Sequence, residues 1–157
     1  MAVTHRLSTS TFLPLPREEV FAFFADAENL ERITPPELAF EIVTPRPIDI
    51  EAGTLIDYRL GLFGVRFGWR TEIEVWEPPY RFVDQQISGP YRLWHHTHTF
   101  VEVAGPDGES GTQMDDLVRY QLPLSPLGDV GYPLIRLQLA RIFGYRQRAI
   151  REILLGA

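Results

Sequence analysis

Five strand-patterned segments follow one another between Thr54 and Leu122, and the links between them are too short to cross a sheet. They run Thr54–Leu62, Val65–Trp76, Arg81–Ser88, Tyr91–Val103 and Thr112–Leu122. The links carry Gly64, Pro78-Pro79, Gly89-Pro90 and the stretch GPDGESG from Gly105 to Gly111, all turn chemistry. A parallel crossover needs about a dozen residues or more, so these strands must be antiparallel neighbours. Two further strand patterns, Val3–Leu13 and Leu38–Thr44, bring the predicted sheet to seven.

Helical signals are confined to two places. Pro16 opens PREEVFAFFADAENLERI, with Glu18 and Glu19 in the first turn and Val20, Phe21 and Phe24 as its apolar face. A break at Asp26 or Asn29 separates a second short helix that stops at Thr34-Pro35-Pro36. After a Pro/Gly-rich loop from Pro123 to Gly131, a long helix is expected from Tyr132 to Leu155. Leu139, Ile142, Phe143, Ile150, Ile153 and Leu154 share one side of it, and Arg141, Arg148 and Arg151 form a solvated face on another. The order β-α-α-β6-α is α+β. The last helix is the one element long enough to cover a curved sheet, and such a wrap leaves an elongated pocket between the two.

The chain has four histidines and places three of them, His95, His96 and His98, in GPYRLWHHTHTF. Side chains alternate along a strand, so Trp94, His96, His98 and Phe100 share a face that is expected inside, while His95 faces outward. In the following strand Met114, Asp116, Val118, Tyr120 and Leu122 form the more apolar side, which puts Asp116 inside. A buried carboxylate is costly unless paired. A hairpin register that keeps the two apolar faces together predicts a His98–Asp116 contact.

Three chemistries remain open for that segment. His96-x-His98 with Glu102 approaches a metal motif of the cupin barrels, but the glycine spacing is off by one, no further His follows His98, and no metal site is expected. His96 or His98, oriented by Asp116, could act as a general acid or base. Alternatively these side chains are polar anchors in the wall of a binding cavity. With no Lys or Cys, Schiff-base and thiolate chemistry are excluded, and there is no G-x-S-x-G elbow or phosphate-cradling glycine loop. A net charge of −6 argues against a nucleic-acid backbone as partner. The start MAVTHRLSTSTFLPLP lacks the basic head and apolar run of a signal peptide, and no apolar run reaches membrane-spanning length. A cytoplasmic protein, monomeric or weakly dimeric and without stable membrane insertion, is expected.

These residues carry a resemblance. The helix pair after the first strand, EPPYRFVDQQISGPYRLWHHTHTF, GTQMDDLVRYQLP and the long terminal helix together resemble the START/Bet v 1-like superfamily (SRPBCC). More narrowly they are similar to its bacterial ligand-binding, cyclase/dehydrase-like proteins. The most specific pieces are Phe82-x-Asp84-x-Gln86, Gly89-Pro90-Tyr91, Trp94-x-His96-x-His98-x-Phe100 and Asp116-x-Val118-x-Tyr120. The resemblance implies one helix-grip domain over residues 1–157, with a cavity between the curved sheet and the last helix. It implies binding of an apolar or aromatic small molecule (lipid, quinone or polyketide-like) and no cofactor.

The expected lining is Tyr58, Phe67, Trp69, Trp94, His96, His98, Asp116 and Tyr120 from the sheet and Phe143 from the helix. For Phe67, Trp69 and Phe143 ordinary core packing accounts for the same pattern. The helix before Pro35-Pro36 and the loop Gly61–Gly64 are expected at the mouth. Two other functions are carried forward: a cyclase/dehydratase using His96 or His98 as base with Asp116 as orienter, and a protein-interaction domain.

Overall fold

Hairpin turns set the order of the sheet. In the computed structural model, which describes residues 1–156, the chain runs β1 (His5–Leu13), α1 (Arg17–Ala25), α2 (Asn29–Arg32), β2 (Glu41–Ile42) and β3 (Leu55–Leu62). It continues through β4 (Val65–Glu77), β5 (Arg81–Ser88), β6 (Leu93–Ala104) and β7 (Ser110–Gln121) to α3 (Tyr132–Leu155). The sheet is antiparallel, with strand order β1-β7-β6-β5-β4-β3-β2. Strands β2 to β7 are a meander, and β1 closes against β7. At the β3–β4 turn Phe63 and Gly64 both take positive φ (50° and 79°), the conformation that a two-residue hairpin needs, and Leu62 pairs with Val65 across it.

One strand is far shorter than its pattern. Leu38–Thr44 reads as a strand, but residues Pro36–Leu38 form a 3₁₀ turn and only Glu41–Ile42 pair with β3. The chain reverses at Ala39, in the left-handed region at φ 46°, and Arg66 donates to the Ala39 carbonyl at 2.7 Å. These bonds satisfy backbone groups that a longer ladder would have used.

Register shifts in β4 between Arg70 and Thr71 and between Ile73 and Val75 mark the irregularities that bend the sheet. The helix α3 lies across the concave side and ends at Gly156, whose φ of 71° lets its N–H cap the Glu152 carbonyl. Its contacts divide the core in two. Leu139 and Phe143 pack with Leu60, Trp69 and Trp94, while Ala149 and Ile150 pack with Phe21, Phe82, Phe100 and Met114. Phe100 is 1% exposed and sits edge-on to Phe21 at 5.1 Å. Burying an aromatic of this size contributes roughly 1.5–3 kcal/mol. Between Phe143 and Ile150 the helix carries Arg146, buried at the boundary between the two halves. Among the described residues no helix is long and apolar enough to cross a membrane.

Candidate functional site

The polar cluster under Arg146 is a product of strand register. Thr9 of β1 pairs with Asp116 of β7, Asp116 with His98 of β6, and His96 of β6 with Asp84 of β5. Residues directly opposite across antiparallel strands point to one face. Four strands therefore deliver a row of polar side chains to the concave surface. The alternation in β6 buries Trp94, His96, His98 and Phe100, and turns His95 to the other face, where it meets Glu74 at 3.2 Å.

The two imidazoles stack, with ring centres 3.7 Å apart, and Phe82 stacks on the outer side of His98 at 4.0 Å. A carboxylate stands at each end of the stack. Asp116 Oδ1 lies 2.7 Å from His96 Nε2 and 3.2 Å from His98 Nδ1. Asp84 Oδ2 lies 2.6 Å from His98 Nε2 and 3.8 Å from His96 Nδ1. Arg146 closes the Asp116 end, its Nη2 3.2 Å from Asp116 Oδ1 and 3.4 Å from His98 Nδ1.

This geometry fixes the charges. Burial would raise the Asp116 carboxyl, but Arg146 and the two imidazoles hold it well below the usual carboxylate range. Asp84 is likewise lowered: burial raises it, and His96, His98 and Arg146 more than offset that. The histidines split. Burial and the neighbouring His98 push His96 down, whereas for His98 hydrogen bonds to Asp116 and Asp84 outweigh burial and push it up. Neutral His96 therefore donates Nε2–H to Asp116 and presents the Nδ1 lone pair on the Asp84 side.

Two cavities adjoin the cluster, of about 150 and about 70 Å³. Both touch Leu30, Ile33, Tyr58, Asp84, His98 and Arg146. The larger is walled by Trp69, Tyr91, Trp94, His96 and Phe143, and is also lined by Thr34, Leu38, Leu62 and Ile142. Tyr58, Trp69, Trp94, His96, His98 and Phe143 thus stand on cavity walls, next to the α2 end and the Leu62 turn that the sequence reading placed at the mouth.

Three expected lining residues lie elsewhere. Asp116 sits beneath the imidazoles, fully engaged by them and by Arg146, and reaches the cavity only through the histidines. Tyr120 is packed among Tyr91, Trp94 and His5. Phe67, paired with Leu60 near the hairpin end, is half-buried against the core. Glu102 takes no part: it is exposed and 3.6 Å from Arg17. In its stead Asp84 completes a set of potential metal donors with His96 and His98, all within 4.8 Å of one another.

Sequence reasoning missed Asp84 and Arg146 as site residues. A signal existed for the second: Leu139, Phe143, Arg146 and Ile150 are spaced four, three and four residues apart, so an arginine occupies a core position of the helix. Two buried donors on chamber residues, Trp69 Nε1 and Arg146 Nε, have no protein acceptor.

The family described as polyketide cyclase/dehydrase and lipid transport matches residues 13–143. Among solved structures, the protein TTHA0849 from Thermus thermophilus is similar over 97% of this chain and 98% of its own, with 21% identity and a TM-score of 0.73. An aromatase/cyclase from Streptomyces sp. R1128 is similar over 96% of each chain, with 14% identity and a TM-score of 0.71. A nucleoside-diphosphate sugar epimerase from Corynebacterium glutamicum is 28% identical over 93% of this chain, which spans 28% of that longer protein, with a TM-score of 0.62. No curated protein sequence matches the chain.

Proposed function

We propose, from the premise that the chain belongs to the polyketide cyclase/dehydrase and lipid-transport family, that it binds a small aromatic or otherwise apolar molecule between sheet and helix as a carrier, sensor or accessory protein. One observation carries this reading: an aromatic-walled chamber of about 150 Å³ with its polar groups gathered at one end. A dry engineered cavity of about this size accepts benzene. The size of the chamber thus supports a ring-sized apolar group. Trp69 Nε1 and Arg146 Nε favour a ligand bearing an acceptor oxygen, because a buried donor left unpaired costs free energy. Native mass spectrometry of protein purified under non-denaturing conditions tests this. A retained small molecule of apolar character supports it, and bare protein even after incubation with a panel of phenols, quinones and fatty acids contradicts it.

A second reading is favoured by His96. Its Nε2 is anchored on Asp116 at 2.7 Å while Nδ1 faces the chamber, the orienter-and-base arrangement of general base catalysis. A cyclase or dehydratase would use that lone pair to take a proton from carbon beside a carbonyl. Loss of turnover with retained ligand binding in His96→Gln supports this reading; unchanged turnover removes it.

A further inference from the structure

We propose that Asp84, His96 and His98 form a site for one divalent first-row transition-metal ion at the polar end of the chamber, with Asp116 and Arg146 as its outer support. The inference starts from an asymmetry in the stacked imidazoles. Their Asp116-facing nitrogens, His96 Nε2 and His98 Nδ1, converge on a single oxygen at 2.7 and 3.2 Å. Their opposite nitrogens, His96 Nδ1 and His98 Nε2, converge on a different carboxylate, Asp84. His96 has the arrangement of a metal-binding histidine, with one nitrogen free for the metal and the other donating to a carboxylate that fixes tautomer and ring orientation.

The inner edge is incomplete as a hydrogen-bond network. His96 is 6% exposed, and its Nδ1 is 3.8 Å from Asp84 Oδ2, beyond hydrogen-bond reach. That nitrogen has no hydrogen-bond partner among the described residues, so its lone pair is free to take a positive centre placed between it and the carboxylate. A metal ion at bond lengths of about 2.0–2.1 Å separates its ligand atoms by roughly 3.3 Å in tetrahedral geometry. The two His–Asp84 separations of 2.6 Å and 3.8 Å bracket that value, and all three ligand atoms lie within 4.8 Å of one another. His98 then leaves Nδ1 toward the outer support, 3.2 Å from Asp116 Oδ1 and 3.4 Å from Arg146 Nη2.

Charge placement agrees. Arg146 lies at the Asp116 end, 3.2 Å from that carboxylate, so it balances Asp116 and leaves the Asp84 edge to the ion. Two imidazoles and one carboxylate suit zinc, cobalt, iron or nickel better than magnesium or calcium, which prefer oxygen. Three protein ligands leave a coordination position open, and all three residues line the larger cavity, so that position faces the chamber. The site shares the chamber with the proposed ligand, but its occupancy is read without any organic molecule.

The test is metal retention by the full chain. Protein stripped with a chelator is loaded with Zn²⁺ or Co²⁺, desalted and assayed by elemental analysis, with the Co²⁺ visible spectrum as an independent readout. The expected result is one metal per chain, with Co²⁺ bands reporting nitrogen and oxygen donors. Asp84→Asn and His96→Gln should each weaken binding at least tenfold, and Asp116→Asn about 10–100-fold, as outer-shell changes do. His95→Gln, on the opposite face, should leave binding unchanged. Circular dichroism confirms that each variant is folded. Should a variant unfold, the wild-type stoichiometry and Co²⁺ spectrum still decide. Sub-stoichiometric retention by wild type, or retention unaffected by folded Asp84→Asn and His96→Gln, overturns the proposal and leaves the binding of apolar ligands untouched.

Discussion

Replacing Arg146 with Met isolates the electrostatic half of the cluster while keeping most of the side-chain volume. Arg146 is 6% exposed and Asp116 4%, and their contact is 3.2 Å. Removing one partner of a buried pair typically costs about 3–5 kcal/mol, because the remaining charge is left uncompensated. Two local effects modify that figure in opposite senses. His98, which tends to hold its proton, still faces Asp116 and offsets part of the loss. The guanidinium also lies 5.2 Å over the Phe24 ring, and losing that contact adds about 0.5–1 kcal/mol. The net expectation is a loss of about 3–4 kcal/mol. In urea this lowers the midpoint by roughly 1.5–2 M for a slope of about 2 kcal/mol/M. Chelator in every sample removes any contribution from bound metal. Adding Asp116→Asn to Arg146→Met removes the stranded charge and should restore at least about 1 kcal/mol, as coupled neighbours do. An Arg146→Met protein within about 0.5 kcal/mol of wild type refutes the claim that this ion pair holds the cluster together.

Three further outcomes are expected. In chelator-treated protein, nitrogen-detected NMR titration of the imidazoles should show His98 keeping its second proton to higher pH than an ordinary histidine, and His96 losing it at lower pH; the reverse order contradicts the assigned hydrogen bonds. Gly111→Ala should lower stability by about 1–3 kcal/mol in thermal or urea unfolding, since the added methyl meets the Leu13 carbonyl oxygen at 2.6 Å; a neutral change would mean that β1 can shift away. Ile142→Trp, on the chamber wall, should raise the dissociation constant of any chamber ligand at least tenfold while the protein stays folded by circular dichroism; unaltered affinity would place the ligand elsewhere.

Much of this arrangement is legible in the sequence because strand parity is strict. Once GPYRLWHHTHTF is read as a strand with Trp94 and Phe100 inside, His96 and His98 follow them inward and His95 is excluded. The apolar run Met114-x-Asp116-x-Val118 places Asp116 on the matching face, and the hairpin register sets it opposite His98. Asp84 is harder to find. Its strand shows Phe82, Asp84 and Gln86 in alternation, too weak an apolar signal to reveal a buried carboxylate before the β5–β6 register is known. Arg146 was hidden by composition, since every basic residue here is arginine and one more draws no notice among exposed ones. Its helical position, between Phe143 and Ile150, is what distinguishes it. Beside the shortened β2 the Ala39 carbonyl is taken by Arg66, a contact between distant residues that local patterning does not encode.

The chamber itself is tested most directly by an NMR titration with p-cresol, a single ring carrying one oxygen. The account predicts saturable one-to-one binding, with the largest shifts at the indole N–H of Trp69 and Trp94 and at the His96 and His98 rings, all of it abolished by Ile142→Trp. Shifts confined to exposed apolar residues such as Leu127 and Val130, or binding indifferent to Ile142→Trp, would contradict it.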